Sequence, residues 1–502
     1  LSTLIDLSVV YKWGVKMMVK SLEGLEPRRV FELFSDLCQI PHGSGNEKAI
    51  SDYIRSFCEK LGLDVYQDQV NNLIIKKPAT VGYEECPTVV LQAHMDMVCE
   101  KEANVDHDFA KDPIRVLRDG DRIYADGTTL GADNATGVAF AMCVLESKSL
   151  FHPPLEVVLT VNEEAGMTGI RALDFNRISG RVIINLDCSD YGIVVGCAGT
   201  AVAKMDFTLQ REAAKTEMIA KRVRVSGLLG GHSGLDIIKE RGNANVLLAR
   251  FVVELQQNMG IRLVRFDGGQ MANAITRESE AVILIDSDRQ NDLIAAAEKY
   301  LVCLKKELRI SDPGVAVTVD NAQCDMQPMT EDTAISIMNA LSIIPSGVQT
   351  INKEVANLPE TSGNIGIVST SELEFSIQTL YRSGFDSKKR YMLGKCQQIA
   401  CLVGARYSVL SDSPEWEYKA DSRLSALIQR IFKKRFGEEL VVEVSHGGNE
   451  CGSFFRHFPD ADIVCTGTQI IGAHTPRESV MVSIIQKEWE MLCLELAGMC
   501  DY

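Results

Sequence analysis

Short apolar runs bounded by turn residues recur through the first two hundred positions: Val89-Val90-Leu91, Leu155 to Val161, and Arg181 to Leu186. Continuous, β-branched runs of this length suit strands buried on both faces of a parallel sheet. Between the first two runs, residues 135–146 form an apolar helical stretch, and residues 28–38 and 46–61 also carry helical signals. The last of these follows Gly43-Ser44-Gly45-Asn46, which suits an N-cap. Strand and helix alternating in this way predict an α/β sheet with helices on both faces.

The texture changes near residue 200. Alternating strand patterns (Ala201 to Leu209, Ala220 to Val225) lead through a Gly-rich turn to an amphipathic helix at 243–257. Further strands at 261–266, 280–286, 315–320 and 373–381 are interspersed with helices near 291–308, 331–343 and 388–403. This block predicts a separate α+β domain. From about residue 411 the chain returns to helix, strand, loop and a terminal helix ending near residue 498. Two domains also agree with the length, because 502 residues exceed what one hydrophobic core usually holds.

Bulk properties narrow the function by exclusion. A net charge of −16 argues against a nucleic-acid partner, whose phosphates require clustered Lys and Arg. The basic runs Lys388-Lys389-Arg390 and Lys433-Lys434-Arg435 sit among helix-forming residues and read as solvated helix surface. No uninterrupted apolar run of about 18 residues occurs, so no membrane span is expected. Fifteen cysteines without a C-x-x-C pair read as reduced thiols in a cytoplasmic protein. Residues 1–21 are apolar only in patches, interrupted by Asp6, Lys12 and Lys16; they read as an N-terminal extension and not as a signal peptide.

Acidic and histidine residues fall where those buried strands end. His94-Met95-Asp96 follows the strand at 88–93, Asp133-Asn134 opens the helix at 135–146, and Asn162-Glu163-Glu164 follows the strand at 155–161. Asp187 ends the strand at 181–186, and His474 lies in the loop after the strand at 461–466. Singly, each has an ordinary reading: a structural histidine, a helix cap, a solvated turn. Together, two histidines and three carboxylates at the carboxyl ends of strands suit a pair of zinc-like ions with one bridging carboxylate.

The segments Leu91-Gln92-Ala93-His94-Met95-Asp96-Met97-Val98, Gly131-Ala132-Asp133-Asn134, Asn162-Glu163-Glu164-Ala165-Gly166 and Gly472-Ala473-His474-Thr475-Pro476 closely resemble the M20 metallopeptidases, and the resemblance runs over roughly residues 22–498. It implies an α/β fold: a di-metal peptidase catalytic domain on a mixed or parallel sheet, in two parts (22–199 and 406–502), with an inserted α+β lid and dimerisation domain at 200–405. It further implies hydrolysis of dipeptides, Xaa-His among the candidates, by a homodimer formed through the lid. Two divalent metal ions are implied, zinc first, with cobalt and manganese as alternatives.

In that pattern His94 and Asp187 hold one ion, Glu164 and His474 the other, and Asp133 bridges them. Asp96 orients the His94 imidazole, and Glu163 is the general base. His232, in Gly230-Gly231-His232-Ser233-Gly234, stabilises the oxyanion. Asn273 and Arg382 bind the substrate carboxylate, and Gly448 offers a backbone contact. The peptide bond between Asp133 and Asn134 is expected to be cis. The stretch from His446 to Gly452 departs from the family's usual His-Ala-Gly-Leu-Glu-Cys-Gly at Gly447 and Asn449, which bears on substrate preference. Rival readings are a deacylase, tripeptidase or aminopeptidase on the same fold, a metal-dead binding scaffold, and a cysteine hydrolase using Cys451 and His446. The presence of Glu163 and every matched ligand weighs against the scaffold, and Cys451 has no evident orienting group.

Overall fold

A computed structural model describes residues 19–188, 192–214 and 217–502. Residues 1–18 of the expected N-terminal extension lie outside the described residues. Val19 and Ser21 are already tied in, with the Val19 N–H donating to Ser35 Oγ and the Ser21 hydroxyl to the Val116 carbonyl. The chain divides into two compact units. One comprises the chain up to Val195 with Tyr418–Glu443 and Ser453–Tyr502; the other comprises Gly196–Glu417 with Val444–Gly452.

The first unit is built on a mixed sheet whose order is Asp64–Gln67, Leu73–Lys77, Leu155–Thr160, Val89–His94, Val182–Asn185, Asp462–Cys465, then Ile193–Cys197 and Val442–Ser445. The four strands from Leu155–Thr160 to Asp462–Cys465 run parallel. Leu155–Thr160, Val89–His94 and Val182–Asn185 are buried at every residue, which is why they read as continuous apolar runs. Helix Ala132–Glu146 is apolar all round because it packs against both helix Arg28–Cys38 and strand Val89–His94.

The second unit carries a nine-stranded antiparallel sheet. Its main path is Ala316–Asn321, Met218–Ser226, Ser279–Asp286, Arg262–Gly268, Pro359–Thr370, Glu374–Ser383, Gly199–Thr208 and Arg406–Ser413, with Gly347–Ile351 paired to Pro359–Thr370. Helices Ala244–Met259, Glu331–Ile343 and Asp386–Leu402 bury Phe251, Leu341 and Met392 in one core with Phe266, Ile283 and Phe375 of the sheet. This is the α+β texture expected from residue 200 onward.

Two expectations need correction. Lys389 is not solvated: it is 0% exposed, with its Nζ 2.7 Å from Asp412, 3.4 Å from Glu415 and 3.8 Å from Asp386. An unpaired buried cation costs several kcal/mol, and these carboxylates offset that cost where the helix turns this side chain inward. Cys86 and Cys500 are joined in a disulfide, which leaves thirteen cysteines as thiols. The two lie 414 residues apart in sequence and 5.1 Å apart at Cα, a pairing that no local spacing announces. Among the described residues, no helix is long and apolar enough to cross a membrane.

Candidate functional site

Parallel register sets the edge where the candidate ligands gather. His94 pairs with Thr160 and Gln92 with Asn185, so Met95-Asp96, Asn162-Glu163-Glu164 and Leu186-Asp187 all leave the sheet at its carboxyl edge. Asp133 enters from the first turn of helix Ala132–Glu146, where Asp133 and Asn134 have non-helical dihedrals and the peptide between them is cis, as expected. His474 sits on the loop joining the short paired strands Ile470–Ile471 and Ser479–Met481.

Asp133 faces two histidines at once. Its Oδ1 is 3.2 Å from His94 Nε2 and its Oδ2 is 3.6 Å from His474 Nε2. His94 Nε2 is also 3.3 Å from Asp187 Oδ1, and His474 Nε2 is 2.8 Å from Glu164 Oε1. The five residues therefore form two sets that share Asp133. Donor atoms of His94, Asp133 and Glu164 lie within 4.8 Å of one another, close enough for one divalent ion to contact all three. Glu164 Oε1 is buried, with the His474 ring nitrogen 2.8 Å away. Imidazole and carboxylate donors together fit zinc and its divalent neighbours.

The charges tell the same story. Burial opposes a charge on His94, yet Asp187, Asp133 and Asp96 outweigh it and drive the ring well above its ordinary pKa. Hydrogen bonds to Asp133 and Glu164 push His474 up to about 11. Burial raises Asp187 to about 7, against the pull of His94 and with the push of Asp133. Asp133 itself falls far below the carboxylate range, because its two histidines overcome its burial. This cluster gathers positive charge, which a cation can supply in place of protons.

Beneath the cluster, Asp96 is buried with its Oδ1 3.5 Å from His94 Nδ1. The same carboxylate accepts the backbone N–H of Glu163 at 2.9 Å, that of Glu164 at 3.2 Å, and the Ser44 hydroxyl at 2.7 Å. Glu47 accepts the Asn162 N–H, and Asn134 donates to the Leu186 carbonyl and to Asp187. The entry Gly43-Ser44-Gly45-Asn46 supplies no side-chain cap to the helix Lys48–Lys60, and its Ser44 hydroxyl supports Asp96 instead. Glu478 is a further residue that sequence reasoning missed; its carboxylate accepts from Leu130, Gly131 and Asp133 amides.

In the second unit, His232 and Arg382 meet, with Nε2 3.2 Å from Nη2. His232 Nδ1 accepts the Leu235 N–H at 3.1 Å, and Nε2 lies within hydrogen-bond reach of the guanidinium. Arg382 thus sets a cationic donor beside the His232 ring, an arrangement that suits an anion. Arg382 is only 4% exposed, its Nε lacks a hydrogen bond, and burial lowers its pKa to about 10; among the described residues no carboxylate pairs with it. Gly234 is obligatory here, since a Cβ would lie 2.9–3.1 Å from the His446 carbonyl, His232 Cε1 and Arg382 Nε. The Asn273 carbonyl accepts the Ser233 N–H, and strand pairing of His232 with Ala274 fixes the loop. Gly448 lies against Ala198 and Thr200. His446 binds Ser362 Oγ through Nε2 at 2.7 Å and is held down to about 3 by burial and by the Arg382 guanidinium, so it is a poor base for a cysteine hydrolase.

Known proteins bear on this geometry directly. Residues 90–494 match peptidase family M20/M25/M40. The cytosol non-specific dipeptidase of Escherichia coli (strain K12) is 36% identical over 478 residues, covering 94% of this chain and 98% of that protein. An aminoacylhistidine dipeptidase from Vibrio alginolyticus, known as a crystal structure, matches with a TM-score of 0.84 at 37% identity, covering 95% of this chain and 98% of that one. A tripeptidase from Staphylococcus aureus shares the fold at a TM-score of 0.55 and 17% identity, covering 95% and 100%. On the family match and the nearly full-length likeness to the Escherichia coli protein, the chain belongs to peptidase family M20/M25/M40.

Proposed function

We propose that the chain hydrolyses dipeptides with two divalent metal ions held by His94, Asp133, Glu164, Asp187 and His474. The observation that carries this reading is Asp133 facing His94 with one carboxylate oxygen and His474 with the other, the disposition of a bridging ligand. Zinc is the ion we assign, and cobalt and manganese suit the same donors. Ions of this kind polarise a carbonyl oxygen and acidify water toward a pKa of about 7.

The chain's own residues do the rest. Glu163 accepts the proton of the attacking water and returns it to the amine nitrogen as the C–N bond breaks. Asp96 keeps the His94 ring and the Glu163 backbone in place. His232 stabilises the developing oxyanion. Arg382, a buried cation without a carboxylate partner among the described residues, takes the free carboxylate of the dipeptide, with Asn273 beside it in role and Gly448 on the main chain.

Residues 200–405 act as the lid and homodimer surface in this reading, and 22–199 with 406–502 as the catalytic domain. A cytoplasmic setting accompanies the likeness to the Escherichia coli dipeptidase. The Cys86–Cys500 bond stands against it, and acid quenching of intact cells followed by alkylation in denaturant decides: fifteen blocked thiols for a reducing compartment, thirteen otherwise.

A panel of dipeptides, tripeptides and N-acetyl amino acids tests the specificity. Release of free amino acids from dipeptides, abolished by chelator, is the expected result. Preferential cleavage of tripeptides or acetylated substrates would replace dipeptidase with one of the rival activities.

A further inference from the structure

His474 rides on the loop between Ile471 and Ser479, with its side chain 51% exposed and its φ at +61°. Glu478, at the far end of that loop, is 3% exposed. Its Oε2 accepts the Leu130 N–H at 2.8 Å and the Gly131 N–H at 3.1 Å, and its Oε1 accepts the Asp133 N–H at 3.3 Å. These amides open the helix that carries Asp133, and that helix has no side-chain cap of its own at Gly131. One carboxylate thus caps the Asp133 helix from a residue 345 positions away and clamps it to the loop that bears His474.

We propose that Glu478 is a positioning residue for the metal position formed by Glu164, His474 and the shared Asp133; this inference rests on the two-metal reading above. Glu478 touches neither an ion nor substrate. It sets the separation between His474 and Asp133, so its loss weakens that metal position more than the one at His94 and Asp187, which shares only Asp133 with it.

The test is zinc binding by chelator-stripped protein, measured by calorimetry and elemental analysis, on wild type, Glu478→Gln, Glu478→Asp, His474→Ala and the His474→Ala/Glu478→Gln double variant. The expected result is two sites in wild type, with Glu478→Gln weakening the position of Glu164 and His474 by about 10- to 100-fold and the other by distinctly less. Glu478→Asp retains the charge and falls between. In the His474→Ala background, Glu478→Gln has no additional effect on zinc affinity, because it acts through that histidine. Equal loss at both sites, or an added loss in the double variant, overturns the proposal. So does unchanged zinc binding with only a lowered melting temperature, which makes Glu478 a helix cap and no more. If Glu478→Gln fails to fold, Glu478→Asp carries the same test: selective weakening supports the proposal and unchanged binding overturns it. Absence of zinc sites in wild type is a different outcome, and it overturns the two-metal reading on which this one stands.

Discussion

The carboxylate of Asp96 accepts the backbone N–H of Glu163 at 2.9 Å while lying 3.5 Å from His94 Nδ1. One buried acid therefore orients the ring that we assign as a metal ligand and the backbone of the assigned base. Asp96→Ala should lower kcat/KM or zinc affinity by about 10- to 100-fold. Steady-state kinetics with metal analysis checks this, and wild-type values in both would remove Asp96 from the site.

Glu163→Gln separates base from ligand. Its neighbour Glu164 contacts His474 at 2.8 Å, so the substitution should leave two ions bound. The expected fall in kcat is about 10²- to 10⁴-fold. Loss of metal together with activity would make Glu163 a ligand instead.

Legibility in the sequence followed burial and locality. His94, Glu164 and Asp187 are readable because each follows a short strand buried at every position, so the chain leaves the sheet at a predictable edge. Glu478 is not readable: a glutamate in a Pro-Arg turn looks solvated until the fold brings it to amides more than 340 residues earlier. Strand Pro359–Thr370 is central in its sheet, yet its Ser, Asn and Gly content resembles a loop. Gly366 explains part of that, because a Cβ there would sit 2.5 Å from the Ala272 carbonyl oxygen, and only glycine permits this approach to the loop of Asn273. Lys389 was misread because a basic run on a helix gives no sign of which member turns inward.

Arg382→Ala should raise KM for dipeptides by about 10- to 100-fold, the equivalent of a charged hydrogen bond of about 1.5–3 kcal/mol, and far less for C-terminally amidated analogues. Folding should be little affected, since no carboxylate among the described residues loses a partner. Kinetics on the matched pair of substrates checks this; equal losses on both would make Arg382 structural.

Metal and protons should compete. In metal-free protein His474 is raised from 6.5 to about 11, so it is protonated at neutral pH and must lose that proton to act as a ligand. Zinc affinity should therefore rise between pH 6 and 8, with proton release detectable by calorimetry in buffers of different ionisation enthalpy. The stability that His474 lends the metal-free protein has the opposite sign. It is fully present below pH 6.5 and is lost as pH rises toward 11. Proton-neutral zinc uptake would contradict the arrangement.

The most direct measurement is dipeptide hydrolysis by protein stripped of metal, with residual metal quantified by elemental analysis, as zinc is titrated back. Stripped protein should be inactive, and activity should return and level off at two equivalents per chain. Full activity at less than about one ion per ten chains would contradict a reaction carried out at His94, Asp133, Glu164, Asp187 and His474.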